Sequence, residues 1–186
     1  NYNQNLNQKF RINIDSAFQT SRNYIQTTDQ ENKLSYASSL STKLNLYGYK
    51  LFEENDTFNI NFSTYQATQA TDNSRTIPKV LPAINYYSGT KNINDINYSN
   101  SINFYNIIRE ENTDIHSEQQ QKISHNLATS KDFIKYKSKI SLKSNIYNQV
   151  YSTKNKKIDK VNTNNEYYRF FPILGLSIET PFKHKK

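Results

Sequence analysis

The residues able to do covalent or metal chemistry are few in this chain, and their spacing does not suit it. The three histidines, His116, His125 and His184, stand far apart in polar surroundings. None has a second His and a carboxylate at metal-ligand spacing, so they read as solvated imidazoles. Glu53–Glu54 and Glu110–Glu111 are adjacent carboxylates in turn-like sequence, where solvated charge is the ordinary state. Gly numbers only 3, too few for a phosphate-cradling loop of the G-x-x-x-x-G-K kind. Cys is absent, which removes disulfides and thiolate metal sites without fixing a compartment. No catalytic, cofactor or metal site is expected, and the chain reads as something other than an enzyme.

Binding chemistry is better represented. Residues 134–147 read IKYKSKISLKSNIY. Ile134, Tyr136, Ile140, Leu142 and Ile146 hold even positions, and Lys135, Lys137, Lys139 and Lys143 hold odd ones. Period two is the period of a β-strand, so this pattern predicts one strand with an apolar face and a cationic stripe. Arg11 lies on the polar side of a second such pattern, KFRINIDSAFQT. Lysine offers exchangeable point charges, which suit an anion in passage more than tight bidentate capture. A solvated sheet face in a Lys-rich chain accounts for the pattern as well.

A strand of this length exceeds the usual five or six residues of globular sheets. Two settings accommodate it: an antiparallel sheet with one wet face, or a membrane barrel with lipid outside and a wet lumen inside. Hydrophobic content of 34% and a mean hydropathy of −0.91 suit a polar-lumen barrel or a disordered chain better than an ordinary globule. Tyr 15 and Phe 10 argue against disorder. No apolar run approaches 18 residues, which excludes a membrane helix but not barrel strands, since those are only half apolar. The chain has no Met, and NYNQNLNQKF has neither a basic nor an apolar signal region. It is therefore expected to be a segment of something longer.

Further strand patterns recur along the 186 residues. Phe10, Ile12, Ile14 and Phe18 share one phase, as do Leu34, Tyr36, Leu40, Leu44 and Leu46 within Leu34–Phe52. Phe58, Ile60 and Phe62 follow, then Ile102 and Phe104, then Ile123 and Leu127, and finally Leu174, Leu176, Ile178 and Phe182. Polar stretches at 53–57, 71–75, 89–97, 109–114 and 152–165 read as connections, alternately short and long. The expected fold is all-β: an antiparallel up-and-down meander of long strands, part of a large transmembrane β-barrel. Tyr47 and Tyr49, Tyr86 and Tyr87, Tyr147 and Tyr151, and Tyr167 and Tyr168 cluster near strand ends. Interfacial aromatic girdles and the ordinary strand preference of Tyr both account for that placement.

Three segments carry a resemblance. IPKVLPAINYYSG (77–89) is similar to the P-x-x-L-P-x-I-x-Y segment of the outer-membrane lipopolysaccharide-assembly protein family, LptD. YYRFFPILGLSIETPF (167–182) resembles the family's R-x-x-P-x-x-G-L-x-x-x-x-P-F strand, through Arg169, Pro172, Gly175, Leu176, Pro181 and Phe182. NIIREENTD (106–114) is similar to its N-x-x-R-x-x-G-T-D turn, with Asn112 in place of Gly. The resemblance implies that residues 1–186 are a partial outer-membrane barrel domain, without the family's periplasmic jellyroll or the barrel's C-terminus. It implies transport and insertion of lipopolysaccharide into the outer leaflet. The implied partners are that glycolipid, membrane lipid, an LptE-like lipoprotein plug and a periplasmic lipopolysaccharide bridge, with no cofactor and no nucleic acid. Lys135, Lys137, Lys139, Lys143 and Arg11 would then be lumen contacts for the glycolipid. Pro78 and Pro82 cannot donate to a ladder and are expected at strand starts, edges or bulges, while Pro172 and Pro181 are expected to flank a strand.

The competing readings are another outer-membrane barrel, such as a porin or receptor, and a soluble β-rich surface module. Nucleic-acid binding ranks last, because the +8 charge is spread over many turns without a recognition motif.

Overall fold

The structure, a computed structural model, describes residues 1–20, 38–69, 71–111, 116–159 and 161–180. Among the described residues nine strands form one antiparallel sheet in strict sequence order. They are β1 (Tyr2–Asn5), β2 (Phe10–Ser16), β3 (Ser39–Tyr49), β4 (Thr57–Ala67), β5 (Lys79–Ile93), β6 (Ile96–Glu111), β7 (His116–Lys135), β8 (Ser138–Ile158) and β9 (Val161–Glu179). A short 3-10 turn, Ser74–Thr76, precedes β5. The sheet is an all-β meander whose edges are β1 and β9.

Register follows from alternation. From β2 to β9, one row of opposed residues reads Ile12, Leu46, Ile60, Ile84, Phe104, Ile123, Val150 and Tyr168. One residue along, on the other face, the row reads Arg11, Tyr47, Asn59, Asn85, Asn103, Ser124, Gln149 and Arg169. A one-residue slip in any strand would carry its aliphatics into the polar row, so the pattern penalises every alternative pairing. Among the described residues no second layer covers either face, and the buried apolar side chains are Leu40, Ala67 and Ala83 alone.

The structure corrects the reading of 134–147 as one strand. β7 ends at Lys135, Tyr136 and Lys137 form a two-residue turn with φ 52 and 63, and β8 begins at Ser138. Tyr and Lys are poor choices for left-handed backbone, so nothing in their types announces a turn. The hairpin prevails because it lets β7 and β8 pair continuously from Gln119–Lys154 to Lys135–Ser138. It also reverses the phase: odd residues of β7 share a face with even residues of β8.

The alternation of short and long connections holds only in the first half. There residues 17–38 and 68–78 are long, beside 6–9 and 50–56. In the second half the connections are 94–95, 112–115, 136–137 and 159–160. The segments 89–97 and 152–165 are mostly strand. Both faces are polar there, so period two leaves no trace in the sequence. Of the Leu34–Phe52 pattern, the strand covers Ser39–Tyr49 and residues 34–37 lie outside the described ones, as do Pro181 and Phe182.

Residues 50–56 are held by one carboxylate. Asp56 is 2% exposed and accepts from the backbone N–H groups of Leu51 (2.7 Å), Phe52 (2.8 Å) and Glu53 (3.1 Å). Burial alone would raise its pKa, but these three bonds and the Lys9 charge outweigh burial and hold it below the usual value of 3.8. The loop lies against Gly89, whose φ is +72 and whose Hα side faces Asn55 backbone; a Cβ there would meet Asn55 O at 2.7 Å.

Two outcomes are expected. Replacing Tyr136–Lys137 by Asn–Gly relieves the left-handed strain and stabilises the folded chain by about 1–2 kcal/mol, read as a raised denaturation midpoint. Asp56→Asn destabilises it at neutral pH. Because the folded pKa is depressed, Asp56 stabilises fully above its unfolded pKa of about 3.9 and ceases to as pH falls through the lower folded value. The difference between wild type and D56N in urea titrations therefore shrinks in that acid window.

Candidate functional site

The two faces define the candidate site, and the apolar one comes first. In β4 its apolar residues are Phe58, Ile60 and Phe62. In β8 they run from Ile140 to Val150, and in β9 from Tyr168 to Ile178. Ile60 lies in the same row as Tyr168, yet the β9 band is centred five residues further along. Across five strands the band thus drifts by about one residue per strand, or about 3.3 Å per 4.8 Å of sheet, an inclination of about 35°. The ten steps from Tyr168 to Ile178 span about 33 Å along the strand, hence about 27 Å across the band at that inclination. Leu174 (83% exposed), Leu176, Ile178 and Phe170 of this band are open. The band is interrupted at His125 and Asn148, which hydrogen-bond each other at 3.2 Å, while the Tyr168 hydroxyl donates to Asn148 Oδ1 at 3.1 Å.

The opposite face is built mainly from amides, hydroxyls and cations, with Ile134, Phe171 and Ile173 among them. Asn13, Asn45 and Asn61 stand in one row. Asn61 Nδ2 donates to Asn45 Oδ1 at 2.7 Å, and Ser63 Oγ donates to Asn61 Oδ1 at 2.8 Å. Arg11 lies on this face, as the sequence led one to expect, with Nε donating to Asn3 Oδ1 at 2.9 Å. Lys139 and Lys143 lie on it too, opposite Ile134 and Ser130. Lys139 is ion-paired with Asp132 at 3.0 Å.

The other two lysines of the expected stripe do not join them. Lys137 sits in the β7–β8 turn. Lys135 falls beyond Phe133 on the apolar side, with its Nζ 5.4 Å from the Tyr136 ring centre. The hairpin phase reversal is the cause. Pro78 stands just before β5 and Pro82 inside a register shift between Val80 and Ala83, the two kinds of place expected for them. Pro172 does not flank β9 but lies within it, opposite Ile146. Edge position makes that tolerable, since β9 has a ladder partner on one side only. Gly175 opposes Lys143 with room for a Cβ.

The structure brings together a cluster that periodicity did not single out. Lys122, Tyr151 and Tyr167 share one row, and Gln149 and Arg169 the next, all on the polar face. Lys156 joins them through a register shift between Thr153 and Lys156, where Asn155 has φ 55. Plain alternation from Val150 would send Lys156 to the apolar side; the extra residue turns it back. These six residues line a cavity of about 400 Å³. Tyr151 and Tyr167 stack with centroids 6.3 Å apart, and Tyr151 donates to Gln120 Oε1 at 2.9 Å. The only available sequence signal was Asn155 itself, a residue type that tolerates left-handed backbone.

Among the described residues no group of His, Asp and Glu could hold a metal ion. No protein family, curated protein or solved structure matches the chain.

The Asn45–Asn61–Ser63 chain yields a direct expectation. Asn61→Ala removes both bonds and leaves the Asn45 acceptor unmatched, lowering stability by about 1–2 kcal/mol in denaturant titrations. Asn59→Ala, one row away, has no such side-chain partner to lose and changes it by less.

Proposed function

We propose that this chain is a run of strands from an outer-membrane β-barrel that passes lipopolysaccharide towards the outer leaflet. The observation that carries the reading is the uncovered apolar band, backed by a face of amides and cations in the same single layer. A sheet exposing this much apolar surface needs a cover, and lipid is the cover that needs no second protein layer. The inclination of about 35° lies at the lower end of the range by which barrel strands tilt. A band about 27 Å tall is close to the roughly 25 Å apolar belt of outer-membrane barrels.

The choice of cargo rests on the resemblance of residues 77–89, 106–114 and 167–182 and on the charge of the polar face. Lipopolysaccharide presents phosphates and sugar acids, and Arg11, Lys122, Lys143, Lys156 and Arg169 stand on the face that would be the lumen. A lipoprotein plug and a periplasmic bridge are the partners that go with this reading. The assignment involves no chemistry by the chain itself.

The test uses single cysteines in the full-length protein in its native membranes, with a water-soluble maleimide. Positions 103, 145 and 149 are expected to label, and 104, 146 and 150 to stay protected until detergent is added. Equal labelling of both sets, or protection in a fraction that does not sediment with membranes, overturns the barrel. A photo-crosslinker at position 149 is expected to capture lipopolysaccharide, whereas one at 150 is not. The maleimide pattern without that crosslink would leave a barrel of a different cargo, such as a porin.

A further inference from the structure

The cluster around Lys122 has features that passage of an anion does not require. Its three cations, Lys122, Lys156 and Arg169, make no ion pair among the described residues and line one cavity together, whereas Arg11 and Lys143, unpaired on the same face, do not line it. No carboxylate lines the cavity. Glu166, the nearest acid along β9, stands opposite Ser152 on the other face, the face of Tyr168. Three like charges set on neighbouring strands repel one another, and a bound anion would offset that. Beside them the stacked pair of Tyr151 and Tyr167 offers a flat apolar platform, and Gln149 an amide able to donate and accept. A cavity of about 400 Å³ lies within the usual 300–1,000 Å³ of small-molecule sites and is large for a bare phosphate.

A β-bulge re-aims a side chain at a cost to the ladder, and such bulges recur beside functional sites. Here the bulge at Asn155 brings Lys156 to the cavity, and without it the cluster would have two cations. We propose that Lys122, Lys156 and Arg169, with Gln149, Tyr151 and Tyr167, form a binding site for a phosphorylated sugar. The cations take the phosphate, with Arg169 able to bind two of its oxygens at once. The tyrosine pair takes a sugar face, and Gln149 a ring hydroxyl. The ligand comes either as the head group of a phosphorylated glycolipid or as a free sugar phosphate. The inference deepens the reading above but depends on it only in taking this face as the wet one.

Calorimetric titration of the full-length protein in detergent tests it, with N-acetylglucosamine 1-phosphate, N-acetylglucosamine and inorganic phosphate as probes. The sugar phosphate is expected to bind at least about tenfold more tightly than either fragment, and K122Q/K156Q/R169Q to weaken it by about tenfold or more. K43Q, on β3 of the same face, is expected to leave it unchanged. K156Q alone and deletion of Asn155 are expected to weaken it alike. Equal affinity for the uncharged sugar, an unaffected triple variant, or an equal loss in K43Q overturns the site. Displacement of the sugar phosphate by purified lipopolysaccharide, but not by its dephosphorylated form, assigns the site to a lipid-linked ligand. Undisturbed binding in its presence assigns it to a soluble one, and the absence of binding by any phosphorylated probe overturns it. The maleimide pattern reports on the faces alone, so a failure of the barrel and a failure of the site are told apart.

Discussion

A single-layered sheet with one apolar face cannot leave that face in water, and most features of this chain answer to that constraint. An ordinary domain buries its aliphatics between two layers. Here Leu40, Ala67 and Ala83 are the buried apolar residues among those described, while Leu174, Leu176, Ile178, Phe170 and Val150 remain open. Cohesion within the sheet therefore comes from its ladders and cross-strand pairs, not from a core. On the proposed reading, the bilayer supplies the missing layer. The drift of the apolar band along the register is then the trace of a membrane plane cutting obliquely across inclined strands.

The polar face meets the complementary demand. Some of its amides bond one another across strands without charge, as in Asn61 to Asn45, while Asn59 Nδ2 and Asn126 Oδ1 have no partner among the described residues. Ion pairs gather towards the ends of the sheet. Arg75 meets Glu111 at 2.7 Å beside the pair Lys79–Glu110, and Lys139 meets Asp132 near the β7–β8 turn. Exposed pairs of this kind contribute little to stability. Lys122, Lys156 and Arg169, on β7, β8 and β9, instead line one cavity with no ion pair among the described residues.

Irregularities do the aiming in an otherwise regular sheet. The shift between Val80 and Ala83 absorbs Pro82, which has no N–H for a ladder. The shift between Tyr87 and Thr90 gives Gly89 its positive φ and seats it against Asn55. The shift between Thr153 and Lys156 moves a cation from one face to the other. Each change involves one or two residues, yet each resets which side chains share a face, because the period of a strand is two.

Period two made the sheet itself legible from the amino-acid sequence. Thr57–Ala67 is a strand where the pattern put it, Phe10, Ile12 and Ile14 share a face, and Arg11 stands opposite them. Alternation is a local property of side-chain polarity, and wherever one face is apolar and the other polar it survives in the sequence. What the sequence could not carry was anything decided by pairing. Tyr136 and Lys137 turn because β7 and β8 gain a continuous ladder by it, not because of their own preferences. That turn separated Lys135 and Lys137 from Lys139 and Lys143. Strands running through 89–97 and 152–165 were hidden, because residues polar on both faces show no period. The cluster of Lys122, Lys156 and Arg169 draws on three strands and a bulge. Only the tertiary register, which sums hydrogen bonds over whole strands, could bring those residues together.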